Sequence, residues 1–185
     1  MDFNDLRNNC AIEQKKGIHF ILASIIIWGL IAIIHLTDLP ISTKNLYTFI
    51  STSLLVPLSY VISRVINVRF SNKENPFNNL GFVLTMNQML YLLIAMWVYA
   101  AAPEKLVMVL AIIFGAHLLP FGWLYKSISY RMAAVIIPIV ALIVGLIYEA
   151  YILAIIMIFI EVLFSISLAL ELKGNTATEK EEKAI

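Results

Sequence analysis

The chain has 185 residues, 61% of them hydrophobic and only 14% charged, with a mean hydropathy of +0.89. Soluble domains hold about 45–50% apolar and about 25% charged residues, so this composition excludes an ordinary soluble domain and points to membrane segments. A net charge of +1 leaves no basic face for nucleic acid. The single cysteine, Cys10, supports neither an internal disulfide nor a metal site.

The segment up to Lys16 is polar and of mixed charge, unlike a cleaved leader. Residue 2 is Asp and the chain ends in "EEKAI", so no lipid anchor is expected. A helix needs about 20 mainly apolar residues to cross a hydrocarbon layer about 30 Å thick. In chain order the sequence offers six such runs: 17–36, 47–66, 80–102, 105–125, 132–148 and 150–170. The first breaks, "TDLPISTKN", "NVRFSNKENPFNN" and "APEK", carry charge, proline or asparagine. Met132 to Leu170 is an apolar run whose only charged residues are Glu149 and Glu161. As one helix, at about 1.5 Å per residue, it would be nearly twice the hydrocarbon thickness. It is divided at "YEAY", where an acid between tyrosines suits an interface. From residue 173 the charged "KGNTATEKEEKAI" reads as a disordered cytoplasmic tail.

Charge bias supports the count. With six spans, every Lys and Arg except Lys44 and Lys105 falls on the side of the termini. Because cytoplasmic loops carry the excess of basic residues, the sequence predicts an all-α bundle of six transmembrane helices with both termini in the cytoplasm.

Polar groups inside the hydrocarbon must find a protein partner or a wet cavity, so their positions are informative. The second span carries a stripe of Thr52, Val56, Ser59 and Ser63, and Pro57 releases the carbonyl of Ser53. The third carries Thr85, Asn87, Gln88 and Tyr91, and the fourth carries His117, with the carbonyl of Ala116 released by Pro120. The sixth carries Glu161 near its middle. The first and fifth are almost featureless and read as scaffold around a polar centre. A charged carboxylate at the bilayer centre costs about 2.5–3.5 kcal/mol on insertion scales, so Glu161 must be protonated, paired or wet. The expected proton or ligand site is therefore Glu161, with His117 as its partner at similar depth. Asn87, Gln88, Tyr91 and Ser59 would supply uncharged contacts. The plainer reading makes these residues interhelical hydrogen bonds or back-bonds to their own helix. Ala111, Gly115 and Gly122 form a small-residue stripe about 200° round the fourth span from His117. It suits close packing within the chain or across a homo-oligomer.

No cofactor motif or glycine-rich phosphate loop occurs, and the histidines at 19, 35 and 117 are too dispersed for a zinc site. Neither a cofactor nor a metal is expected, and an enzyme is disfavoured.

At "GFVLTMNQMLYLLIAMWVY" (81–99) and "FGAHLLPFGWLYKS" (114–127), with "QKKGIHF" and "SNKENPF", the chain resembles a family of small multipass membrane proteins of Bacillus-type bacteria. The function of that family is unknown, and the resemblance spans about residues 10–170. It implies a bacterial plasma-membrane protein and supplies no activity. The expectation is a protein that binds or transports a small polar solute or a proton in the lipid bilayer. The alternative is a non-transporting assembly, sensing or immunity protein.

Overall fold

The computed structural model describes residues 2–69 and 75–182, with side chains up to residue 174. Lys73, Lys180 and Lys183, which enter the charge bias, lie outside the described side chains. Among the described residues the chain is helical throughout, with no strand. Six stretches are long and apolar enough to cross a membrane: Lys15–Leu36, Ile41–Val65, Pro76–Ala101, Pro103–Leu124, Ile128–Ile147 and Ala150–Gly174.

Before them lies a helix that hydropathy alone does not reveal. α1 (Phe3–Glu13) starts at Asp2, whose side chain caps the first turn while Asp5 reaches back to the Asp2 amide. A short 3-10 turn, Lys15–Gly17, leads into α2 (Ile18–Leu36), the first span. The second span is broken into α3 (Ile41–Ser53) and α4 (Leu55–Val65). The break falls where Pro57 denies the Ser53 carbonyl its helical partner.

α5 (Pro76–Ala101) begins on Asn75, whose side chain accepts from the Phe77 amide at 3.0 Å, with Pro76 at the first helical position. α6 (Leu106–Leu124) follows a 3-10 turn at Pro103–Lys105. Ser127 caps α7 (Ile128–Ile147), which ends at an extended Tyr148. α8 starts at Ala150 and continues to Glu182. The "YEAY" division therefore falls where the chain does change helix. The tail expected from residue 173 coincides with the end of α8, where mostly backbone is described.

The heaviest packing joins α6 to α7 and α2 to α8, with α4 on α2 and α5 on α6. The first span is thus central rather than scaffold: Ile21, Ala23, Ser24, Ile27, Trp28, Ile31 and Ala32 are all buried. Polarity failed to mark it because membrane helices associate through close van der Waals packing, which needs no polar residue. The small-residue stripe is used within the chain. A Cβ on Gly115 would stand 2.5 Å from Pro138 Cδ, and one on Gly122 2.8 Å from Arg131 Cγ. Both glycines thus allow α6 and α7 to approach closely.

Candidate functional site

α2, α4, α5 and α6 enclose a cavity of about 340 Å³. Phe20, Phe82, Phe114 and Phe121 give it an aromatic wall, and His19, Asn78, Thr85, Gln88, His117 and Tyr130 are its polar points within the spans. Among the described residues no Lys, Arg, Asp or Glu lines it. His117 packs edge-on between Phe114 and Phe121, at 5.5 and 5.9 Å between ring centres. Its buried Nδ1 lies toward the backbone of Ile113 and Phe114 without a proper hydrogen bond.

α1 closes one end. Tyr125 Oη donates to Gln14 Oε1 at 2.7 Å, Gln14 Nε2 donates to Asn78 Oδ1, and Cys10 Sγ donates to the same oxygen at 3.2 Å. Gln14, Asn78 and Tyr125 all line the cavity. Further out, the Arg7 guanidinium lies 4.4 Å from the Trp123 ring centre and donates to the carbonyls of Trp123 and Leu124 at the end of α6. These are carbonyls that a helix end leaves unsatisfied. Asn75 Nδ2 donates to Leu6 O at 2.7 Å, and Lys15 Nζ to Ile66 O at 2.7 Å. Burial, with Glu13 nearby, pushes the Cys10 thiol up to about 11.

The link from α1 to α2 passes through three left-handed residues, Lys15 (φ 44°), Lys16 (φ 50°) and Gly17 (φ 70°). Such a conformation in a non-glycine residue persists only where its surroundings hold it. Here the surroundings are a buried ion pair: Lys16 Nζ meets Glu171 Oε2 at 2.8 Å, with side-chain exposures of 2% and 23%. Glu171 also accepts from Ser127 Oγ, Ser129 Oγ and the Ser129 amide at 2.6–2.8 Å. Tyr130 Oη donates to Lys16 O at 2.8 Å. At Gly17 a Cβ would stand 3.1 Å from that same hydroxyl, so only glycine suits both the φ and the space.

The residues expected to form one site are distributed over several. His117 and Gln88 share the cavity. Glu161 is fully buried outside its lining, against Ser24, whose hydroxyl contacts Oε2, and against Trp28. Trp28 stacks edge-on with Phe114 at 6.3 Å, so two aromatic rings stand between Glu161 and His117. Among the described residues no hydrogen bond or ion pair joins the two. Ser59 is buried and donates to Val56 O at 2.9 Å, and Thr52 and Ser63 likewise bond back to Phe49 and Tyr60. Asn87 Nδ2 donates to Tyr91 Oη at 2.9 Å on an exposed face of α5.

Lys16, Glu171, Gln14 and Asn78 were missed by sequence reasoning. One signal was there: Lys16 opens the first apolar run and Glu171 closes the last, and an even number of spans returns those ends to one face.

The model of a family of unknown function (DUF7010) matches residues 3–171. No curated protein and no solved structure matches the chain.

Proposed function

The chain belongs to this family of unknown function, DUF7010, and we propose that it is a membrane protein that holds a small amphiphile in the cavity between α2, α4, α5 and α6. The observation that carries the reading is the lining. It offers aromatic walls and hydrogen-bonding groups but no charge, which suits an apolar body with one or two hydrogen-bonding groups. The volume falls at the lower end of the range for ligand pockets, about 300–1,000 Å³. The mouth faces the hydrocarbon. α4 packs on α2 and α5 on α6, without substantial packing between α4 and α5, and Val56, Phe82 and Met86 stand exposed at that rim. The ligand therefore arrives from the bilayer rather than from water. The charge bias and the resemblance support a bacterial plasma membrane, with the termini cytoplasmic, as the setting of this reading.

Gly81 offers the test. It lines the cavity, and a Cβ there meets only Leu124 Cδ2 at 3.4 Å, an ordinary contact. Gly81→Phe should fold and fill the space. Thermal unfolding of the purified protein against a panel of uncharged and weakly basic amphiphiles should raise the wild-type midpoint by several degrees for at least one compound. Gly81→Phe should show no such rise. Equal stabilisation of both proteins would contradict the assignment.

A second reading, proton passage, rests on Glu161, whose buried Oε1 has no hydrogen-bond partner. It predicts pH-gradient dissipation in proteoliposomes that Glu161→Gln abolishes. Equal leak from both proteins would dispose of it.

A further inference from the structure

The third span carries a polar pair on its outer face. Asn87 lies close to the middle of Pro76–Ala101, one turn before Tyr91, and both are exposed. Leu90 and Ile94 beside them on that face are exposed too, so the pair lies at hydrocarbon depth rather than among headgroups. Its internal hydrogen bond uses one amide proton and one lone pair of the hydroxyl. The second amide proton, the amide oxygen and the phenolic proton remain, and hydrocarbon offers them nothing.

We propose that this face pairs two copies of the chain in the membrane, α5 against α5, with Asn87 and Tyr91 of one copy bonded to the same residues of the other. Copies inserted with the same orientation and related by a two-fold axis along the membrane normal bring equal depths together. A partner surface must then be its own complement. A primary amide and a phenol each donate and accept, so this pair meets that condition, as a charged residue would not. α5 is also the least covered span, with 17% of its most apolar stretch buried against 22–50% for the others. The glycine stripe of α6 is already occupied by α7, which leaves α5 as the face equipped for self-association. The cavity-lining Gly81 and Thr85 lie about 120° and 160° round α5 from Asn87.

The test is fluorescence energy transfer between labelled copies in proteoliposomes over a range of lipid-to-protein ratios. Wild type should associate, and Asn87→Leu/Tyr91→Phe should weaken the association at least about tenfold. Thr85→Val, on the cavity side, should leave it unchanged. The substituted pair is exposed, so an unchanged unfolding midpoint would show that the double variant is folded. A cysteine at Leu90 should form an intermolecular disulfide, and one at Leu142, exposed on α7, should not. Monomeric wild type at all ratios, unchanged association of the double variant, or cross-linking through residue 142 instead of 90 would overturn the proposal.

Discussion

Ser24 has one hydroxyl proton and two acceptors in reach, the Ile21 carbonyl at 2.8 Å and Glu161 Oε2. The Ile21 carbonyl already takes a helical amide within α2, so the Ser24 hydroxyl can serve Glu161 at no cost to the helix. At this scale Glu161 works as a hydrogen-bonding group joining α8 to α2. Ser24→Ala should cost about 1–3 kcal/mol, the penalty for stranding a buried polar partner. Glu161→Gln keeps a donor toward Ser24 and should stay within about 1 kcal/mol of wild type. Unfolding titrations of both variants check this; a severe loss in Glu161→Gln with a mild one in Ser24→Ala would reverse the roles. The reading of Glu161 as a group needing a partner was legible from its depth. The identity of the partner was not, because Ser24 sits on a helix whose composition looks uniformly apolar.

α1 is where local sequence and tertiary packing diverge most. Its apolar positions are few, and it is held by end-to-end hydrogen bonds from Arg7, Asn75, Gln14 and Lys15, which leave no periodic hydrophobic trace. Cys10 reports on its docking. With the thiol pushed from about 9 up to about 11, the thiolate fraction at pH 8 falls from about one in ten to about one in a thousand. Alkylation should be about a hundredfold slower than for a free thiol. The sign follows: burial of the neutral thiol contributes to stability below about pH 9, and that contribution is lost as pH rises through about 11. Arg7→Ala should loosen α1 and speed alkylation; an unchanged rate would mean that the carbonyl contacts do not hold the helix. At the next link, Lys16→Met should cost about 3 kcal/mol, the low end for a broken buried pair, because Glu171 retains its serine donors. Lys16→Met/Glu171→Leu should recover part of that loss, since two unpaired groups are removed together. A double variant that loses the full sum would argue against the pairing.

At the scale of the whole molecule the six long apolar helices were legible because span length is set by the bilayer, a solvent whose demands are written in composition. The cavity was only half legible. His117 and Gln88 stood out as polar groups in apolar runs, but Phe20, Phe114 and Phe121 look the same whether they pack, face lipid or line a space. The pairing of Glu161 with His117 rested on depth alone, and depth carries no information about which helix faces which. Asn87 and Tyr91, assigned inward by the same logic, lie on the outer face of α5, the face proposed to pair with a second copy of the chain. The central claim remains that the space between α2, α4, α5 and α6 holds an amphiphile drawn from the bilayer. Native mass spectrometry of protein released from nanodiscs tests it most directly. Wild type and Glu161→Gln should retain one small amphiphile per chain, and Gly81→Phe should retain none; bare wild type, or equal retention by Gly81→Phe, would contradict the account.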